Sequence, residues 1–343
     1  MFIACFVITE YCNMECDYCY MNNRRNSFMK PDVFEFHYQE TLPYFMKHYG
    51  FDTYRLDLFG GEPTTYWNLI EYIINRTKDD KRLDHIFLPT NGLNLTSHDI
   101  SMLKKNNVKV SLSFDGIWSK KLHTYIKNSH IYKQLVNKCS VCVTPDHMNM
   151  AENFEFLMNE FELIPEFKIV RDSIWNEEHV EQFKVELQKL KQTYFKYIKQ
   201  NVKAFPFEHQ LLMMLESRNH KMKKMRCFVG NSGVAFGSNK KVYPCARFLT
   251  DDYYPIYEDG LNIKNLTIID DFSSKFTDEC INCEQTEFCD NMCLHQELTN
   301  NGLLANVCSV YKAITEIVID INHELKNDEI WRHYIKESIN GQK

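Results

Sequence analysis

Phe2-Ile3-Ala4-Cys5-Phe6-Val7-Ile8, followed after three residues by Cys12-Asn13-Met14-Glu15-Cys16-Asp17-Tyr18-Cys19, is the stretch on which the fold turns. Its first part is rich in β-branched and aromatic residues and reads as a strand. It is no signal peptide, being short, without a basic n-region and without a small-residue cleavage site before Cys12. The second part sets thiols at C-x3-C-x2-C spacing in the loop after that strand. Three thiolates on one loop suit three irons of a cubane [4Fe–4S] cluster and leave the fourth iron without a protein ligand. An open iron can bind a substrate and pass it an electron. Zinc is the alternative, but zinc prefers four protein ligands, and no fourth cysteine or histidine lies nearby in sequence.

Outward from this strand, short β-rich runs alternate with longer amphipathic stretches. Strands are expected at Phe2–Ile8, Tyr54–Phe59, His85–Leu88, Val108–Ser113, Ser140–Thr144 and Glu166–Val170. Helical periodicity fills Pro31–Tyr49 and Trp67–Thr77. Six strand–helix units imply an α/β fold on a parallel sheet, either doubly wound or curled into a barrel. Chemistry in such folds sits in the loops beyond the strands' C-terminal ends. One long charged helix is expected from Glu177 to Lys203. Near residue 225 the texture changes to short runs, glycines and cysteines as far as Cys308, as in a small domain held by metal more than by a core. A last helix is expected from Ser309 to Leu325, with a polar tail that frays. The expected divisions are a barrel over 1–205, a helical linker over 206–224, a cysteine-rich domain over 225–312, and a C-terminal helix and tail over 313–343.

Composition narrows the function classes. The 343 residues are 44% hydrophobic and 25% charged, ordinary for a globular protein. A net charge of −6 gives no basic field to draw nucleic acid. No apolar run approaches the roughly 18–20 residues of a membrane span. The 13 cysteines are the anomaly, and they cluster at two places. Short C-x-C intervals without a secretory signal argue for metal in a reducing, cytoplasmic setting, not for a disulfide framework.

Three further segments follow expected strands: Gly60-Gly61-Glu62-Pro63, Thr90-Asn91-Gly92 and Ser113-Phe114-Asp115-Gly116. Each alone reads equally as a turn or helix cap. In this order, behind the three-cysteine loop, they resemble the radical S-adenosylmethionine (SAM) superfamily. The resemblance spans roughly residues 2–170 and implies a partial (β/α)6 TIM-type barrel. It implies that Cys12, Cys16 and Cys19 hold a [4Fe–4S] cluster whose open iron chelates SAM. One electron then cleaves the sulfonium to methionine and a 5′-deoxyadenosyl radical, which abstracts hydrogen from a substrate. The backbone at Gly60, Gly61, Glu62 and Pro63 is implied to meet the methionyl amino group. Thr90, Asn91, Ser113 and Asp115 are implied to face the cofactor's carboxylate and ribose, and Tyr18 its adenine.

Seven cysteines lie between 227 and 308, with Cys280-x2-Cys283-x5-Cys289-x3-Cys293 at their centre. This block resembles the SPASM extension, which holds two auxiliary [4Fe–4S] clusters. By that resemblance Cys280, Cys283, Cys289 and Cys308 ligate one cluster fully. Cys227, Cys245 and Cys293 hold the other, with one iron open or closed by another ligand. A pair of zinc ribbons is the competing reading. Two departures stand out. Lys240 occupies the place of a glycine usual before the second cysteine, with Gly237 nearby for a shifted turn. Ala246 and Arg247 follow Cys245 where sulfatase-maturating members carry an aspartate. Cys5, Cys139 and Cys142 are expected to be buried core thiols.

Members of the SPASM subfamily mostly modify ribosomally made peptides, forming thioethers, carbon–carbon crosslinks or epimers; a minority dehydrogenate small polar metabolites. Sulfatase-type side-chain oxidation is disfavoured by Ala246-Arg247, and a purely electron-carrying scaffold has no use for Gly60–Pro63. Implied partners are a flavodoxin or ferredoxin reductant and a separate leader-peptide-binding protein. Arg171, Asp172 and Arg247 are candidates to meet a polar substrate, or else are loop and ion-pair residues.

Overall fold

Strand order decides between the two expected α/β architectures. In the computed structural model, which describes residues 1–21, 26–199, 205–217, 227–250, 252–272, 282–285, 293–298 and 305–340, the strands are β1 (Phe2–Thr9), β2 (Tyr54–Gly60), β3 (Leu83–Thr90), β4 (Lys109–Phe114), β5 (Val136–Val143), β6 (Pro165–Ile169), β7 (Gly233–Phe236) and β8 (Val242–Tyr243). They form one sheet in the order β6-β5-β4-β3-β2-β1-β7-β8. The run from β1 to β6 is monotone and parallel throughout. A doubly wound sheet would reverse its order at a switch point, whereas successive addition on one side is the winding of a barrel. The fold is therefore a partial barrel of six parallel strands, extended beyond β1 by the parallel β7 and antiparallel β8.

Alternation along the strands sets the two faces. Phe2, Phe6, Leu56, Leu58, Leu112 and Phe114 are buried against the helices. The Phe6 ring lies 5.1 Å from that of Phe34 and Phe114 5.7 Å from Phe156. The inner face mixes polar and apolar side chains: Cys5 beside Asp57, Val7 beside Phe59, and Cys142 beside Lys168, in register. Cys139 is buried on the helix side as expected, but Cys142, of opposite parity, is only partly buried on the inner face. The expectation of a core thiol fails there.

The Pro31–Tyr49 helix has a wider central turn. His37–Thr41 is π-helical between the α-helical Pro31–Phe36 and Leu42–Tyr49. That turn buries His37 between the Thr41 hydroxyl and the Gly237 carbonyl, each at 2.9 Å. Trp67–Thr77 is helical as expected. The long charged helix runs Glu177–Ile198, with Asn176 accepting from the His179 amide at 2.7 Å as its cap. The last expected helix starts at Ala305 and packs on Glu177–Ile198. Beyond it Glu329–Asn340 is helical where a frayed tail was expected, because Trp331 and Tyr334, three apart, turn one face inward.

The β7–β8 turn answers the glycine departure. Gly237 donates its amide to the Lys241 carbonyl at 2.9 Å, closing a short loop in which Lys240, at φ 63°, is the left-handed residue. The turn is not shifted onto Gly237; lysine occupies the glycine conformation.

Candidate active site

Glu62 organises the loops at the C-terminal ends of β1, β2 and β3. Its Oε1 accepts from the Thr64 amide at 3.1 Å, the Thr64 hydroxyl at 2.6 Å and the Thr90 hydroxyl at 2.6 Å. Its Oε2 accepts from the Asn91 amide at 2.7 Å. Burial pushes this carboxyl's pKa up, against the pull of four donors aimed at it. Asn91 in turn donates its side-chain amide to Asn13 Oδ1 at 2.7 Å, tying the third strand's end to the cysteine loop.

The two glycines before Glu62 allow backbones to meet. Gly61 donates to the Thr9 carbonyl at 2.9 Å and Glu62 to that of Tyr11 at 2.8 Å. A Cβ on Gly60 would sit 2.0 Å from the Thr9 oxygen, and one on Gly61 2.4 Å from the Tyr11 oxygen. The cysteine loop is thus seated directly on the end of β2.

A cavity of about 810 Å³ opens beside this loop, lined by Cys12 and Cys16 and, across from them, by Asp115, Trp118, Thr144 and His147. That volume suits a cofactor-sized ligand. Tyr18 and Asp115 both line it and are joined by a 2.5 Å hydrogen bond from the phenol. Burial pushes the Tyr18 phenol's pKa far up, so it stays a donor. Gly60, Gly61, Glu62, Pro63, Thr90, Asn91 and Ser113 are not among the lining residues; Glu62, Thr90 and Asn91 support the loop from below. Three contributors were missed in the sequence. Trp118 and His147 stack face to face at 3.7 Å. The Thr144 hydroxyl is buried without a hydrogen-bond partner among the described residues. Thr144 and His147 directly follow β5, a position that itself flags chemistry in a barrel.

The residues fit the group that the three-cysteine spacing calls for. Burial, then Asp115, pushes the Cys16 thiol up to about 12, so its thiolate requires a compensating positive charge of the kind iron provides. The orphaned Thr144 hydroxyl needs a polar partner in the adjoining cavity. Among the described residues no three His, Cys, Asp or Glu side chains converge on a single ion. Thiolates of a cubane bind separate irons and need not do so.

Beyond β8, a second thiol group faces the same interior. Burial, then the Cys227 thiol, pushes Cys245 up to about 12, with Cys293 and Cys5 also within electrostatic reach. Cys283 and Cys308 are half-buried; Cys280 and Cys289 lie outside the described residues. The three candidate substrate residues are engaged with protein groups. Arg247 Nη1 contacts the two Asp172 carboxylate oxygens at 2.7 and 3.1 Å, and Arg171 lies 5.2 Å over the Tyr311 ring.

Partial barrel, three-cysteine loop and adjoining cavity together give the barrel mouth a site that fits an iron–sulfur group. The profile of the radical SAM superfamily matches residues 6–158. The chain is 30% identical over 124 residues to the radical SAM cyclopropyl synthase TigE of Paramaledivibacter caminithermalis, covering 32% of this chain and 26% of that protein. It is 28% identical over 112 residues to an uncharacterized protein of Methanocaldococcus jannaschii, covering 32% of this chain and 37% of the other. The matches thus span only about a quarter to over a third of those relatives. Among solved structures, anSMEcpe with bound AdoMet superposes with a TM-score of 0.73 at 16% identity, over 96% of this chain and 97% of that one. anSMEcpe with AdoMet and the Cp18Cys peptide superposes at 0.70 and 15% identity, over 98% and 99%. Such identities speak for the fold. The family implies a [4Fe–4S] cluster and SAM, and among the described residues no helix is long and apolar enough to cross a membrane.

Proposed function

We propose that the chain directs SAM-derived radical chemistry at a ribosomally made peptide, leaving a thioether, a carbon–carbon crosslink or an epimerised residue. The observation that carries this reading is the Cys245 thiol, within electrostatic reach of Cys227 and Cys293 and of Cys5 on β1, the strand that leads into the three-cysteine loop. A similarly folded enzyme, anSMEcpe, has been solved with AdoMet and a peptide.

Cys12, Cys16 and Cys19 would hold the first cluster, which, reduced and with SAM on its open iron, supplies a hydrogen-abstracting radical. The chain's own part is placement. Glu62 and Asn91 fix the loop that carries the thiols. The Gly60–Pro63 segment, Thr90 and Asn91 would act from beneath, seating the loop against which the amino acid end of SAM would lie. Tyr18, Asp115, Trp118 and the unpartnered Thr144 hydroxyl would bind its nucleoside end and exclude water. Cys227, Cys245 and Cys293 would hold one auxiliary cluster, and Cys280, Cys283, Cys289 and Cys308 the other. A flavodoxin or ferredoxin would be the electron donor, a separate protein would present the leader peptide, and a reducing cytoplasm would suit the thiolates.

The test is anaerobic reconstitution with dithionite and SAM, then mass spectrometry of a short peptide encoded beside the gene. Wild type is expected to release 5′-deoxyadenosine and change the peptide's mass or stereochemistry. Simultaneous Cys12→Ala, Cys16→Ala and Cys19→Ala substitution is expected to abolish both. A triple variant still making 5′-deoxyadenosine would overturn the cluster assignment; an unaltered peptide beside active SAM cleavage would overturn the substrate class.

A further inference from the structure

Arg247 ties the segment after Cys245 to the segment after Cys19 and, through Asp172, to the segment after Cys293. It follows Cys245 by two residues. Its guanidinium carbon lies 4.6 Å over the ring of Tyr20, the residue after Cys19. Its Nη1 holds Asp172, beyond β6, at 2.7 Å. Gln296, three residues after Cys293, donates to the same Asp172 carboxylate at 3.3 Å and to the Arg171 carbonyl at 3.2 Å. The pair therefore links the two margins of the sheet, β6 and β8, across the open side of the barrel.

We propose that Arg247 is a positioning residue that clamps the Cys245 segment against the Cys19–Tyr20 loop, and that its charge raises the reduction potential of the iron–sulfur group held by Cys227, Cys245 and Cys293. The proposal rests on the reading that these three cysteines hold such a group. Reduction adds one negative charge to it, and a nearby cation stabilises that state more than the oxidised one. The Arg247 side chain is 20% exposed and that of Asp172 40%, so the cation faces inward and its counter-ion outward. Stacked on Tyr20 and paired with Asp172, the guanidinium already has its geometry set before a substrate arrives.

The experiment is a potential titration followed by electron paramagnetic resonance, with iron and sulfide analysis, on reconstituted full-length wild type, Arg247→Gln, Arg247→Lys and Asp172→Asn. Arg247→Gln is expected to disfavour reduction of the C-terminal cluster about tenfold, 59 mV for a one-electron couple. Arg247→Lys should restore most of that shift, since it keeps the charge. Asp172→Asn should move the potential the other way by freeing the cation of its partner. Opposite signs exclude simple disruption, which would move both variants alike. Should Arg247→Gln fail to fold, the sign of the Asp172→Asn shift still decides. A full iron complement with unmoved potentials, or shifts of one sign, would overturn the proposal alone. Iron for a single cluster in wild type would overturn the reading beneath it and the proposal with it.

Discussion

At the scale of single residues, the site depends on groups that hold its backbone as much as on its thiols. Four donors converge on the buried Glu62 carboxylate. Glu62→Gln keeps the shape but turns an amide NH2 toward donors. Bonds to a charged acceptor contribute about 1.5–3 kcal/mol each, and a donor left facing a donor costs more. A loss of about 2–3 kcal/mol in urea unfolding is expected, with weakened SAM binding because Asn91 and Asn13 move with it. An unshifted denaturation midpoint would remove Glu62 from this role. Lys240 presents the opposite case. Left-handed backbone costs a side-chain-bearing residue roughly 1–2 kcal/mol, offset in part by Lys240 Nζ lying 5.5 Å over the Phe36 ring. Lys240→Gly is therefore expected to stabilise the hairpin by about 0.5–1 kcal/mol. Thermal unfolding below wild type would show that the Phe36 contact outweighs the strain.

At the scale of elements, what could be read from the sequence was local and what could not was long-range. The three-cysteine loop, the Gly60–Pro63 segment and the strand cores are contiguous patterns, so spacing and alternation expose them. Trp118, His147 and Thr144 come together with Tyr18 only because the sheet curls and brings the loops after β1, β4 and β5 into one cavity. Cys142 was legible in principle, since residues 139 and 142 of one strand must point to opposite faces. The π-turn of the Pro31–Tyr49 helix was not, because nothing in its apolar periodicity announces a buried histidine bonded to a residue 200 positions away. That turn carries a pH dependence. Burial lowers the His37 pKa from 6.5 to about 4. The unfolded chain thus takes up this proton first on acidification. Stability from neutral His37 is complete above about pH 6.5 and lost as pH falls toward 4, by about 3 kcal/mol in total. His37→Gln, which can still donate to Gly237, should flatten that part of the profile. Parallel urea titrations at pH 7.5 and 5 check this, and an equal drop in both proteins would assign the acid sensitivity elsewhere.

At the scale of the whole molecule, the cysteine-rich segment is fastened to the barrel by β7 on β1 at one margin and by Arg247 on Asp172 at the other. The Ala305–Leu325 helix then packs on Glu177–Ile198, and among the described residues between 250 and 305 few large apolar side chains are buried. Four cysteines in that stretch, Cys280, Cys283, Cys289 and Cys293, with Cys227, Cys245 and Cys308 flanking it, point to bound metal as a source of stability. If ten cysteines ligate three cubanes, anaerobically reconstituted protein should hold about 12 iron and 12 sulfide. Cys12→Ala, Cys16→Ala and Cys19→Ala together should remove about four of each and leave the fold intact, because that loop is seated by Glu62 and by backbone bonds. Cys283→Ala with Cys308→Ala should remove about four as well, but with a structural cost. Under limited proteolysis this double variant should be cut first between residues 250 and 305 while the barrel survives, since its core lies in β1–β6 and their helices. Wild-type protein with about four iron and stoichiometric zinc would assign the C-terminal segment to zinc ribbons and leave the barrel chemistry to the first cluster alone.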